Sequence, residues 1–205
     1  MTNHTSLSPE QYQQKMQRRK EIQAKRVAQA SQEKGLIIVN TGNGKGKTTA
    51  ALGMVMRSLG HGFHVGIIQF IKGAWEPAEK AVLSCWEGQL EFSAMGEGFT
   101  WETQDQERDI QKAHAAWEKG LSLIRNPDYQ LVLLDEINVA LKLGYLDLQT
   151  VLTGLAEKPA QTHVILTGRG APDELLSVAD LVTEMKLIKH PFREQGIKAQ
   201  AGIEF

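Results

Sequence analysis

The stretch "TGNGKGKT", Thr41 to Thr48, places three glycines, two lysines and two hydroxyls within eight residues. Glycines at such spacing let a backbone adopt positive φ and approach a ligand closely, so that successive N–H groups face a polyphosphate. The pattern G-x-x-x-x-G-K-[ST] between a strand and a helix is the P-loop. Gly46, Lys47 and Thr48 match its end, while Thr41 stands where the pattern has glycine. Lys47 is suited to neutralising phosphate oxygens, and the Thr48 hydroxyl to holding Mg2+. A helix opening near Lys47 would add the positive end of its dipole.

A second chemical element is "LVLLDE" (131–136), an apolar run ending in Asp135 and Glu136. Such a strand brings a carboxylate towards the metal beside a P-loop. The acids are adjacent, so if the strand persists only one of them faces the nucleotide. Together these features predict an Mg–nucleoside triphosphate site without naming the reaction. A kinase, a motor ATPase and a switch GTPase would all carry them. "NVALKLGYLD" lacks the spacing of a guanine reader, which points to adenine. A third stretch, "MGEGFTWETQ" (95–104), puts Phe99 and Trp101 on a loop after a strand. Large aromatics there either pin the loop to the core or form a platform for a flat ligand.

The elements that must position these residues alternate. β-Branched apolar runs at 36–40, 64–70, 90–95, 131–136, 162–168 and 181–189 are separated by helical patterns at 47–59, about 77–86, 103–125, 137–143, 147–157 and 173–179. Near-continuous apolar strands alternating with helices predict an α/β fold of the P-loop NTPase (RecA-like) type. Its mostly parallel sheet of about six strands should carry helices on both faces. Ligands of such sheets bind at the carboxyl ends of the strands. The final stretch, from His190, shows little periodicity and is expected to wrap over the surface.

Residues 1–34 read as a separate N-terminal helical arm preceding a nucleotide-binding domain at 35–205. Ser8, Pro9 and Gln11 form a helix-start signature, and Tyr12, Met16, Ile22 and Val27 give a broken apolar stripe. The arm holds seven Lys and Arg against three Glu, so it is basic within a chain of net charge −1. That balance gives no overall field for nucleic acid. No run reaches the roughly 18 to 20 apolar residues of a membrane span, and the polar N-terminus does not read as a signal peptide. Cys85 is the only cysteine, which excludes an internal disulfide and a cysteine metal cluster. The expected location is the cytoplasm.

The blocks "TGNGKGKTTAALG", "IIQFIKG", "GEGFTWET", "LVLLDEI", "ILTGRGAP" and "KHPFREQGIKAQAGIEF" resemble, in order, those of the ATP:corrinoid adenosyltransferases of the cob(I)yrinic acid a,c-diamide type. Thr41 in place of glycine is itself similar to that family. The resemblance implies transfer of the 5′-deoxyadenosyl group of ATP to the Co(I) of a corrinoid, with triphosphate released. It implies ATP as cosubstrate, Mg2+ as cofactor, a reduced flavodoxin or flavin as electron donor, and a homodimer whose N-terminal helix covers an active site. ATP would be held by Gly42, Asn43, Gly44, Lys45, Gly46, Lys47, Thr48 and Thr49, with Arg57 and Arg169 as further contacts. Thr48 and Glu136 would meet Mg2+ before Asp135 does. Phe99 and Trp101 would pack on the corrinoid and keep the lower axial ligand off cobalt. The competing reading is an Mg-dependent ATPase or small-molecule kinase. A third is a nucleotide-gated regulator whose basic arm contacts nucleic acid or a partner.

Overall fold

The structure is a computed structural model and describes residues 7–71, 78–86, 88–95 and 105–203. Two compact units divide the chain at Glu33 and Lys34.

The first unit is built on helix α1, Pro9–Gln29. Its capping box is complete. The Gln11 N–H donates to Ser8 Oγ at 3.2 Å, and the Ser8 N–H to Gln11 Oε1 at 3.0 Å. Two orphan donors are thereby satisfied, and Pro9, which has no N–H to lose, opens the first turn. No residue of α1 is buried.

The second unit is a six-stranded parallel sheet of order β3-β2-β4-β5-β1-β6. The strands are β1 (Ile37–Thr41), β2 (His64–Gln69), β3 (Leu90–Ala94), β4 (Tyr129–Asp135), β5 (His163–Thr167) and β6 (Leu181–Glu184). Helices α2 (Lys47–Gly60), α3 (Ala78–Leu83), α4 (Gln106–Arg125), α5 (Ile137–Lys142), α6 (Leu148–Ala156) and α7 (Asp173–Val178) connect them. Alternate residues of each strand feed opposite faces. Ile38, Ile67, Leu133 and Ile165 pack with Ala51, Val55 and Leu59 of α2. Val39, Ile68, Leu134 and Leu166 pack with Trp117 and Ile124 of α4 and Leu155 of α6. Each such aliphatic side chain withdrawn from water stabilises the fold by roughly 1.5–3 kcal/mol. These two cores fix the sheet rigidly and leave the carboxyl ends of β1, β4 and β5 side by side.

One sequence expectation is corrected near the C-terminus, and one element is added there. The run 181–189 was expected to be strand throughout, yet β6 stops at Glu184. After it the Met185 N–H still donates to Thr41 of β1, while the Met185 carbonyl accepts from the Gly44 N–H of the following loop at 2.6 Å. The stretch from His190 also holds a short helix, α8 (Pro191–Gln195), which Pro191 opens and Gly196 closes in the left-handed conformation.

Candidate functional site

The phosphate loop is residues 42–46, between β1 and α2. Asn40, buried at the end of β1, donates from Nδ2 to the Lys47 carbonyl at 3.3 Å and so ties strand to helix. The loop's glycines answer a close approach of protein backbone. A Cβ on Gly42 would lie 2.5 Å from the Met185 carbonyl oxygen, and one on Gly44 would lie 2.7 Å from those of Met185 and Lys186. No side chain fits at either position without moving that segment.

Lys47 opens α2 and is buried, 6% exposed. Its ammonium donates to the Gly44 carbonyl at 2.7 Å and the Gly42 carbonyl at 3.0 Å, folding the side chain back along the loop. Burial holds it below the usual lysine range. The Glu136 carboxylate opposes that shift, while the positive charges of Arg169 and Lys45 add to it. A cation so placed gains from an incoming anion, because the site supplies only partial compensation for its lost hydration.

Thr48 lies in the first turn of α2, and its hydroxyl donates to Asp135 Oδ1 at 2.8 Å. The Thr167 hydroxyl donates to the same oxygen at 2.7 Å, and the Gln69 amide to Asp135 Oδ2 at 3.2 Å. Strand order explains this convergence. β5 lies between β1 and β4, and β2 lies on the other side of β4. Asp135 therefore accepts from three elements at once.

Glu136 departs from what its sequence position suggested. The strand does not persist past Asp135, and Glu136 turns with φ 62° and ψ 18° as the cap of α5. Among the described residues it is the one non-glycine with positive φ. Its N–H donates to Thr167 Oγ1 at 2.9 Å, so Thr167 bridges the adjacent acids. The charges of both carboxylates reach Lys47. Burial pushes the Glu136 carboxyl above the usual carboxylate range and the charge of Asp135 adds to that, while Lys47 and Arg169 pull the other way.

These oxygens suit Mg2+, a hard cation bound by one or two carboxylates plus substrate phosphates. The Thr48 proton is directed at Asp135, which leaves the hydroxyl lone pairs free for a cation. Gln69 Oε1 beside Asp135 is buried with no hydrogen-bond donor, a further oxygen that a hydrated cation would satisfy. No preformed cluster of three His, Cys, Asp or Glu side chains exists among the described residues.

The loop after β5 is held against the same strand ends. The Gly168 N–H donates to the Asn40 carbonyl at 3.2 Å, and the Ala171 N–H to Thr41 Oγ1 at 3.2 Å. Buried Asn138 donates from Nδ2 to the Gly168 carbonyl at 3.2 Å. Arg169 projects from this loop, exposed, near Lys47 and Glu136. Asn43, Lys45 and Thr49 are exposed at the mouth.

Arg57 is placed differently. It sits exposed in the last turn of α2, ten residues from Lys47 and so about 15 Å along the helix axis. The fold of one chain does not bring it to the loop. Phe99 and Trp101 lie outside the described residues. Gln69, Asn138 and Thr167 are site residues that sequence reasoning missed. Gln69 and Thr167 are polar residues that end apolar strands, and Asn138 lies in the first turn of α5, signals that acquire meaning only once strand order is known.

The family described as ATP:corrinoid adenosyltransferase BtuR/CobO/CobP matches residues 33–205. The pattern described as the cob(I)alamin adenosyltransferase N terminal matches residues 1–27. A corrinoid adenosyltransferase of Pseudomonas aeruginosa is 49% identical over 99% of this chain and 100% of its own length. One from a Sinorhizobium species is 53% identical over 93% of this chain and 90% of its own. That of Salmonella typhimurium is 45% identical over 97% of this chain and 100% of its own. Matched along its length by the same family that its loop, acidic strand end and C-terminal blocks resemble, the chain belongs to the ATP:corrinoid adenosyltransferases.

Proposed function

We propose that this chain transfers the 5′-deoxyadenosyl group of ATP to the Co(I) of a corrinoid, in adenosylcobalamin synthesis or salvage. The cobalt lone pair attacks the ribose 5′ carbon, the C5′–O bond breaks, and triphosphate leaves with the bonding electrons. The observation that carries this reading is the polar chain Thr48–Asp135–Thr167 beside buried Lys47, in a chain of this family.

The residues supply positioning and charge. Lys47 and the loop N–H groups stabilise the negative charge that grows on the departing triphosphate. Asp135 fixes the Thr48 rotamer, and Thr167 fixes Asp135 and the turn at Glu136. Mg2+, held by Thr48 with Asp135 and Glu136, would supply further neutralisation of phosphate charge. No general base is needed, because Co(I) is a nucleophile without deprotonation and orientation carries the remaining demand.

The finer reading follows the family. The acceptor is cob(I)yrinic acid a,c-diamide or cob(I)alamin. Phe99 and Trp101 pack on the corrinoid and keep its lower ligand off cobalt, which makes Co(II) easier to reduce by a flavodoxin or flavin. The protein acts in the cytoplasm as a homodimer whose arm covers an active site. No helix among the described residues is long and apolar enough to cross a membrane.

The test mixes the protein with Mg-ATP and pre-reduced cob(I)alamin, without oxygen and in dim light. A light-sensitive alkylcorrinoid spectrum that requires ATP supports the reading. An unchanged corrinoid beside ATP hydrolysis returns the chain to the P-loop ATPases or kinases.

A further inference from the structure

The segment "EMKLIKHPFREQG" (184–196) begins at the last residue of β6 and is tied to the phosphate loop by its backbone at Met185. The Met185 N–H donates to the Thr41 carbonyl at 2.8 Å, and the Gly44 N–H returns a bond to the Met185 carbonyl at 2.6 Å. A Cβ on Gly44 would meet the Met185 and Lys186 carbonyl oxygens at 2.7 Å, so backbone rests on backbone. Side chains that leave Met185 and Lys186 therefore start at a fixed place beside the loop.

They border a cleft of about 490 Å3 lined by Asn43, Arg169, Glu184, Lys186, Leu187 and Arg193. Asn43 belongs to the phosphate loop, and Arg169 to the loop that Thr41 and Asn40 anchor. Three cations face one carboxylate there. The nearest approach of Glu184 to the Lys186 ammonium is 4.0 Å, an ion pair too long to be a hydrogen bond. The cleft thus holds an excess of positive charge, and two of its cations, Arg169 and Lys186, leave segments whose backbones are hydrogen-bonded to the phosphate loop or to β1. The loop's own phosphate machinery, Lys47 and Thr48, lies outside this lining.

We propose that Arg169, Lys186 and Arg193 form an anion subsite at the outer edge of the phosphate loop, which takes a phosphate ester group of a substrate. Two sources carry that chemistry. One is the polyphosphate of the nucleotide, including the triphosphate after transfer. The other is the phosphodiester in the nucleotide loop of a complete corrinoid. The assignment of substrates rests on the adenosyltransferase reading, whereas anion binding itself does not.

The experiment compares the full chain with Lys186→Ala, Arg193→Ala and the conservative Lys186→Arg, all checked for an unchanged melting temperature. Calorimetry measures inorganic tripolyphosphate binding at low and high salt. Steady-state assays measure KM for ATP, for cobalamin, and for a corrinoid lacking the nucleotide loop. With the nucleotide as source, each alanine variant weakens tripolyphosphate binding and raises the ATP KM by roughly 3- to 5-fold, as expected of exposed charge pairs. Lys186→Arg restores most of that loss, and high salt narrows the difference. With the corrinoid as source, tripolyphosphate binding is unchanged and KM rises only for the corrinoid that bears the phosphodiester. Unchanged tripolyphosphate affinity with unchanged KM for all three substrates overturns the subsite. If the unaltered protein alkylates no corrinoid, the functional reading fails, and the tripolyphosphate arm alone then decides the subsite.

Discussion

Thr41 Oγ1 accepts a hydrogen bond from the Ala171 N–H at 3.2 Å, joining the first residue of the phosphate motif to the loop that carries Arg169. Glycine, usual at this position, has no side chain to make that bond. Thr41 is also buried at the end of β1, so its hydroxyl answers a donor that water reaches poorly. The odd residue of the motif is an anchor between two loops that flank one site.

Replacing Thr41 by valine keeps the shape and deletes the acceptor. The variant should lose about 1 kcal/mol in urea unfolding, the net worth of one such bond. It should also raise the KM for ATP by loosening the Arg169 loop, and Thr41→Ser should restore both. An unchanged KM in Thr41→Val would remove Arg169 from nucleotide binding.

Lys47→Ala removes a charge-assisted contact worth ~1.5–3 kcal/mol, so kcat/KM should fall roughly 10- to 100-fold. A near-normal kcat/KM would sink the phosphate role of this lysine.

Asp135→Ala strips the acceptor from Thr48, Thr167 and Gln69 together. Stranded donors cost roughly 1–3 kcal/mol, so the unfolding midpoint should drop along with activity. The Mg2+ concentration for half-maximal rate should rise, and it should rise less in Thr167→Val, which leaves the Thr48 contact in place. Equal Mg2+ requirements in all three proteins would exclude Asp135 from the metal's surroundings.

Glu136 offers a test by pH. Its folded carboxyl lies above the unfolded range, so the folded chain binds this proton more tightly than the unfolded one. Stability from this group therefore falls as pH rises from the unfolded value, near 4.3, through the folded one, and the cost is complete above that. Without metal or nucleotide, Glu136→Gln should be the more stable protein at neutral pH, and its advantage should vanish below about pH 4. Glu136→Gly should gain a further ~1 kcal/mol at most, since glycine accepts the left-handed φ but costs chain entropy. Both variants should lose activity. A glutamine variant no more stable than the parent at pH 7 would contradict the upward shift.

Phe99→Ala and Trp101→Ala should spare the reaction that starts from chemically prepared Co(I) and lose the one that starts from Co(II) and a mild reductant. Equal losses in both assays would assign the aromatic loop a folding role instead.

The cradle was legible because its chemistry is local. Glycines, Lys47 and Thr48 sit within eight residues, and strand and helix periodicities flank them. The sheet was legible because its strands are apolar on both faces, as with Val132 to Leu134, whose side chains all lie in a core. What escaped depends on contacts between distant segments. Thr167 and Gln69 become meaningful only when strand order sets them on either side of Asp135. The end of β6 escaped because "LVTEMKLIK" keeps an apolar rhythm that an exposed edge strand does not need. Met185 still donates to Thr41 of β1, but its carbonyl accepts from Gly44, 141 positions earlier in the phosphate loop, rather than from a strand residue. Glu136 escaped because a left-handed glutamate follows from no propensity, only from the turn into α5.

The most direct test of the account is the identity of the phosphate product in a single turnover. Protein, ATP labelled on the terminal phosphate and excess cob(I)alamin would be mixed without oxygen and quenched in the dark. The account predicts intact labelled triphosphate in equal amount to adenosylcorrinoid. Labelled orthophosphate with ADP, and no alkylated cobalt, would contradict it.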